Sequence, residues 1–459
     1  MLEAKPVSVL RRSIEWGLYR LALLLVLPVI PLRLLWRGLR ERGYWQHWEE
    51  RFACCLVPSP QPSPSPKGRG GLWIHAVSVG ETRAAAPLIA ALRARHPGMP
   101  VLLTCMTVTG RATAQQLYGD FAQVAYLPYD YGWLMRRFLA RWQPRVGVLM
   151  ETELWPNLIR EAARIQLPLV LANARLSERS ARGYSRLAAL TRDSLARIQV
   201  VAAQTEADAQ RLRQLGAHHV AVTGSLKFDI DAPAAQLQMG HQWREVWGAT
   251  RPVLLAASTR DGEEALIVSA FAAHAPADVL LVLVPRHPQR CDSVAKLIHA
   301  AGLKWVRRSE LGADLLSADV RVILGDSLGE LYAYYAACDV AFVGGSLLPL
   351  GGQNLIEAAS VGRPILVGPH TFNFAEAVML AIEMGAARRV KDAEELMTVG
   401  VHLLTDNATR EAMGHAGRAF AARYRGATAR LVTLIEPLLS SGRFPPDLPH
   451  PAHPPRPAD

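Results

Sequence analysis

Residues 71–96, GLWIHAVSVGETRAAAPLIAALRARH, decide the architecture: an apolar run, a polar loop turned at Gly80, then a long Ala- and Leu-rich stretch. A short uninterrupted apolar run reads as a buried strand, and the longer stretch after it as a helix. The same alternation recurs through MPVLLTCM (99–106), RVGVLM (145–150), LPLVLAN (167–173), VVAAQ (200–204) and VAVTG (220–224). A second series starts at Pro252 with PVLLAAS, DVLLVLVP, VRVILGD, DVAFVGGS and RPILVGP. Strands alternating with helices imply βαβ units and mostly parallel sheets, so the chain is α/β with two doubly wound, Rossmann-like domains joined around residues 226–250.

The 459 residues, half of them hydrophobic, suffice for two or three domains with their own cores and exclude a disordered polymer, a collagen or a mini-protein. Five cysteines, of which only Cys54 and Cys55 are adjacent, form neither a disulfide framework nor a zinc spacing, which favours a reducing cytoplasm. The net charge of +11 is unevenly spread: +6 over residues 1–70, +8 over 71–225, −3 over 226–425 and zero from 426 onward. A basic first half suggests that this half faces something anionic. The basic excess lacks interleaved aromatic platforms, which argues against nucleic acid as the partner.

The uncharged run LALLLVLPVIPL (21–32) lies between Arg11, Arg12 and Arg20 on one side and Arg33, Arg37, Arg40 and Arg42 on the other. It is too short for a helix to cross about 30 Å of hydrocarbon, but residues 17–36 reach that length if Arg20 and Arg33 snorkel outward. Trp16, Tyr19 and Trp36 occupy the positions of interfacial aromatics, and no small-residue cleavage site follows. An uncleaved N-terminal anchor is therefore expected, with an interfacial helix as the competing form because of Pro28 and Pro31. Residues 58–71, PSPQPSPSPKGRGG, read as a solvated linker or inserted loop, and the Pro-rich end from Pro445 as frayed.

In open parallel sheets, ligands bind beyond the carboxyl ends of the strands. Polar clusters recur at those places. HAVSVGE (75–81) sets Ser78, Gly80 and Glu81 after the first strand, and METELWPN (150–157) puts Glu151 and Glu153 at another strand end. Two acids one residue apart repel unless a cation or a polar ligand intervenes, so arginine pairing and ligand binding both remain open. Asn173, Arg175 and Ser177 end the next strand, and VTGSLKFD (222–229) supplies Lys227, one of six lysines. In the second series, PRHP (285–288) places Arg286 and His287 where a phosphate would fit, and GDSLGE (325–330) starts a helix with Glu330. VGGSLLPLGGQNLIEAA (343–359) combines a Gly-rich turn with a helix start containing Glu357, where backbone amides suit phosphate and the carboxylate suits ribose hydroxyls. His75, His287 and His370 lie near strand ends, as ligands or as satisfied half-buried side chains. There is no GxGxxG, Walker A, HExxH, CxxC or GxSxG motif, and no metal or cofactor is expected.

Taken in order, the anchor, HAVSVGE, METELWPN, NARLSERS, VTGSLKFD, PRHP, GDSLGEL, GGSLLPLGGQN and GPHTFNF resemble the 3-deoxy-D-manno-octulosonic acid (Kdo) transferases of Gram-negative bacteria, from about residue 10 to about residue 425. The resemblance implies a GT-B glycosyltransferase with an interdomain cleft, transferring Kdo from CMP-Kdo to the lipid A precursor (lipid IVA) with inversion. The implied organisation is a membrane anchor (1–42), a connecting segment with the Pro/Ser-rich linker (43–71), an acceptor-binding domain (72–226), a CMP-Kdo-binding domain (227–425), and a terminal helix with a Pro-rich tail (426–459). By motif, Glu81 matches the catalytic base, and Glu151 and Lys227 match positions supporting the transition state. Donor contacts fall on Pro285, Arg286, Leu328, Gly329, Glu330, Asn354, Leu355, Ile356 and Glu357. A helix start is expected to keep Glu81 ionised and to lower its basicity, so that it acts late in the reaction. The implied partners are CMP-Kdo, the lipid A precursor and the anionic inner-membrane surface, with the catalytic domains on the cytoplasmic side. Two alternatives are another GT-B transferase acting on a lipid acceptor and an anchored nucleotide-sugar binding protein without catalysis.

Overall fold

The computed structural model describes residues 9–54, 70–229 and 231–441. Most of the Pro/Ser-rich linker and the whole Pro-rich tail lie outside the described residues. One compact unit comprises the chain up to Asp229 together with the residues from Tyr424 onward, and the other comprises the stretch between them. Lys227 thus falls in the first unit.

The first unit is built on strands β1 (Leu72–His75), β2 (Val101–Cys105), β3 (Ala122–Tyr126), β4 (Val146–Met150), β5 (Leu169–Ala174), β6 (Val200–Ala203) and β7 (Val220–Val222). They form one parallel sheet in the order β3-β2-β1-β4-β5-β6-β7. Both faces are covered, which is why the strands are apolar throughout instead of alternating with polar residues. Leu72, Ile74, Val146 and Val148 point into one core with Leu88, Ile89 and Leu92 of the helix Ala86–Arg95. Trp73, Leu149, Leu169 and Leu171 point into the other, with Phe138 and Leu158. The terminal helix Ala427–Ser441 closes the first of these cores through Leu431, Ile435 and Leu438, each buried, at roughly 2 kcal/mol per side chain. Asp229 fixes its start by accepting the backbone N–H groups of Gly426, at 2.6 Å, and Thr428.

The second unit contains β8 (Val253–Thr259), β9 (Leu280–Pro285), β10 (Trp305–Arg307), β11 (Val322–Leu324), β12 (Val340–Val343), β13 (Ile365–Val367) and β14 (Ala387–Arg389). Its sheet is parallel, in the order β10-β11-β9-β8-β12-β13-β14. In each sheet the order reverses beside the first strand, between β1 and β4 in one and between β8 and β12 in the other. These are the switch points at which doubly wound sheets open a crevice.

The N-terminal segment departs from expectation. Residues 17–36 do not form one helix: α1 (Val9–Val26) and α2 (Val29–Arg40) are bent by 48° across the break between them, and no single described helix is long and apolar enough to cross a membrane. Pro28 and Pro31 explain the break, since neither has an N–H to donate and a residue before proline is pushed out of the helical region. Trp16 and Tyr19 are also not presented to a bilayer. Trp16 is buried and its indole N–H donates to Asp193, while the Tyr19 hydroxyl donates to Asp130 at 2.6 Å. Glu15, buried as well, accepts the Leu190 N–H. α1 is docked on its own unit by these bonds. The opposite side of the pair remains exposed and apolar: Leu21, Leu24, Leu25, Leu32, Leu35 and Trp36.

Candidate active site

Glu81 stands in the first turn of α3 (Val79–Ala84), directly after β1, and α3 is capped by Ser78. Its carboxylate turns back on the loop, accepting the Val77 N–H at 2.8 Å and the Ser78 hydroxyl at 2.9 Å. The Ser-x-x-Glu spacing satisfies donors that a helix start leaves open. Glu81 is nonetheless buried, and burial is the dominant influence on it: the pKa rises from the ordinary 4.5 to about 7, against the Val77 and Ser78 hydrogen bonds and with added repulsion from Glu151 and Glu153. This corrects the expectation that the helix start lowers its basicity. α3 is only six residues long, and its field is outweighed by desolvation.

Across the switch point, β4 ends at Met150 and Glu151 follows in the left-handed region at φ 56°, with its N–H donated to Ala172. Its neighbour in register on β5, Asn173, is also left-handed at φ 55°. Such conformations cost on the order of 1 kcal/mol each and persist where the surroundings enforce them, often at functional sites. Asn173 is held by accepting the Leu226 N–H on its side-chain oxygen, and that bond also places Lys227. Lys227 Nζ lies 3.7 Å from Glu151 Oε1, with both side chains partly exposed. The structure thus brings together Glu81, Glu151 and Lys227. Glu153 joins them: burial raises its pKa, although it accepts the Trp155 indole N–H at 2.9 Å. His75 is a buried structural side chain whose Nδ1 faces Thr104 Oγ1 at 2.9 Å and whose ring meets Trp155 edge-on. Burial pushes it down to about 3, so it is neutral at physiological pH.

In the second unit, Arg286 follows β9 and its backbone N–H donates to Thr259. Arg260, Arg286 and Arg290 surround His287 and, after burial, depress its pKa. A concentration of cations at this strand edge suits an anionic group. The other expected donor residues are arranged less openly. Glu330 is engaged by Arg308 and Ser327, and the Gly329 carbonyl accepts Gln236. Leu328 is exposed, whereas Leu355 and Ile356 are buried and offer a ligand only their backbone. Asn354 donates to Glu357 and accepts the Ile356 N–H, so it caps the short helix Ile356–Val361 itself.

The first part of the Gly-rich turn is engaged within the protein: buried Glu263 accepts the N–H groups of Gly345, Ser346 and Leu347 at 2.6, 2.9 and 2.8 Å, and that of Arg260 at 2.9 Å. Gly345, at φ 69°, makes the turn that aims these groups at the carboxylate. Its neighbour Glu264, equally buried, accepts Thr259 and both contacts from Arg290, and burial raises its pKa. The sequence reading missed both acids. Their signal was TRDGEE (259–264), a strand-end turn leading straight into paired carboxylates. Among the described residues, no group of three His, Cys, Asp or Glu is arranged to hold a metal.

A family profile described as 3-deoxy-D-manno-octulosonic-acid transferase (kdotransferase) matches residues 46–230. The chain is similar to a 3-deoxy-D-manno-octulosonic acid transferase of Bordetella pertussis, at 46% identity over 92% of this chain and 98% of the relative. It is similar to one from Haemophilus influenzae at 36% identity, over 92% and 99%. A solved glycosyltransferase from Rickettsia africae shares the fold, with a TM-score of 0.57, 11% identity, and coverage of 81% of this chain and 99% of the other.

Proposed function

The chain belongs to the 3-deoxy-D-manno-octulosonic acid (Kdo) transferase family and is a glycosyltransferase, and from that premise we propose that it moves Kdo from CMP-Kdo to the lipid A precursor with inversion at the anomeric carbon. The observation that carries this reading is Glu81: a buried carboxyl held near pKa 7 at the switch point of the first unit. In the proposed step an acceptor hydroxyl forms the new bond to the anomeric carbon of Kdo and gives its proton to Glu81. The bond from that carbon to the phosphate oxygen breaks, and CMP leaves with the electron pair. A general base works best when its pKa lies near the working pH, and Glu81 meets that condition through burial. Glu151 restrains Lys227, whose ammonium supports the charge that develops as CMP departs.

The donor is assigned to the second unit, where Arg260 and Arg286 beside His287 offer cations to phosphate and carboxylate, Arg290 being held by Asp261 and Glu264. The acceptor is assigned to the basic first unit. The exposed apolar side of α1 and α2, together with the bend between them, supports a seat in the surface of the inner membrane, on its cytoplasmic side, as interfacial helices. The function is tested by incubating the purified chain with detergent-dispersed lipid A precursor and either CMP-Kdo or UDP-sugars, then weighing the product. Added mass in whole Kdo units with CMP-Kdo alone is expected. Transfer from a UDP-sugar instead would transfer the assignment to another lipid glycosyltransferase, and no transfer from any donor would leave only binding.

A further inference from the structure

α1 does more than rest on the first unit. Where it docks, a cavity of about 770 Å³ opens between it and the helices Gly132–Trp142 and Pro156–Arg164. Its walls are of two kinds. One is hydrocarbon, from Leu23, Leu24 and Leu27 of the N-terminal segment, and it runs out onto the exposed apolar side of α1 and α2. The other is cationic, with Arg20, Arg136, Arg160, Arg164 and Arg197. A second cavity, about 420 Å³, shares Arg20, Arg160 and Arg197 and extends the same surface along α1.

The acids nearby neutralise only part of that charge. Glu161 takes Arg164 at 2.9 Å and Arg136 at 4.0 Å, and Asp193 takes Arg197 and Arg12. Arg20 and Arg160 have no ion-pair partner among the described residues. Both sit against the one buried indole of Trp16, with guanidinium carbons 5.8 and 5.1 Å from its ring. Both arginines are exposed, so water screens their mutual repulsion, and an anion seated beside the two guanidinium groups meets donors that no carboxylate occupies. Arg20 comes from α1 and Arg160 from the body of the unit, so the pair exists only while α1 is docked.

We propose that this cradle binds the phosphate of an anionic phospholipid, with the acyl chains lying along Leu24 and the exposed leucines beyond it. A ligand matching both walls must carry a phosphate joined to hydrocarbon, which a free phosphate or a nucleotide does not. The site tells the docked helix pair which surface it is on and fixes the first unit's orientation there. This inference rests on the membrane-surface placement above and not on the identity of the donor.

The test is sedimentation with vesicles of phosphatidylcholine, with and without phosphatidylglycerol, at physiological salt. The wild-type chain is expected to bind the phosphatidylglycerol vesicles, and the double variant Arg20→Gln, Arg160→Gln to bind them about tenfold or more weakly. Arg20→Lys with Arg160→Lys should retain binding, since charge is kept. The control pair Arg93→Gln, Arg145→Gln, exposed on the same unit, should change binding by less than about twofold. Wild-type binding by the Gln pair, an equal loss in the control pair, or an equal loss in the Lys pair would overturn the proposal. So would an unchanged vesicle affinity together with a raised KM for detergent-dispersed acceptor, which would give the cradle to the acceptor's own phosphates. A wild-type chain that binds these vesicles but transfers nothing would count against the transferase reading alone.

Discussion

Glu81→Gln is expected to lower Kdo transfer about a thousandfold while leaving CMP binding unchanged, because a positioned general base contributes on the order of 10² to 10⁴ in rate. The substitution keeps size and an acceptor oxygen for the Val77 N–H, so the loop has no reason to move. It should also make the protein more stable in mild alkali. The folded carboxyl has its pKa raised to about 7 from 4.5, so the folded state holds the proton more tightly than the unfolded chain does. Stability therefore falls as pH rises from about 4.5 to about 7 and stays lower above that, by about 3 kcal/mol. Gln has no charge to bury and escapes that cost. A variant that melts higher than wild type at about pH 8 but has lost transfer would show that burial of this acid serves chemistry at the expense of stability. A variant with wild-type turnover would remove Glu81 from the reaction.

Glu263→Ala is expected to cost about 4 kcal/mol, lowering the melting temperature of the second unit by roughly 10 °C. Four backbone N–H groups, from Arg260, Gly345, Ser346 and Leu347, converge on this one carboxylate in the interior. Removing it leaves all four without that acceptor, three of them fully buried. Glu263→Gln should be nearly as harmful, since its amide N–H would face further donors. Because the loop after β12 would lose its anchor at the switch point, CMP affinity should fall in step with stability. Calorimetry with and without CMP checks both, and a variant melting within about 1 °C of wild type would refute the role given to Glu263.

Much of this was legible from residue order alone. Apolar runs such as RVGVLM and DVLLVLVP can be satisfied only by a sheet covered on both faces, and each was followed by a helical stretch. Glu81, Glu151 and Lys227 stood among the polar residues at strand ends, the resemblance to Kdo transferases singled them out, and the fold does bring them together. What was not legible depended on contacts distant in sequence. Glu263 meets amides more than eighty residues away, so the commitment of the Gly345, Ser346 and Leu347 N–H groups could not be seen in the Gly-rich turn itself. Trp16 and Tyr19 looked like bilayer aromatics because their partners, Asp193 and Asp130, lie over a hundred residues on. The basicity of Glu81 was misjudged for the same reason. The helix start is local and visible in HAVSVGE, whereas the packing that desolvates the carboxyl is assembled from the whole unit.

The most direct test of Glu81 as the base is the pH dependence of kcat/KM for Kdo transfer from CMP-Kdo, measured with wild type and Glu81→Gln under conditions where chemistry limits the rate. The base must be ionised to accept a proton, so wild-type activity should fall as pH drops, with a midpoint at about 7. The residual activity of Glu81→Gln should show no such limb. A wild-type limb near the ordinary carboxylate value of 4.5, or a limb at about 7 that persists in Glu81→Gln, would contradict the account.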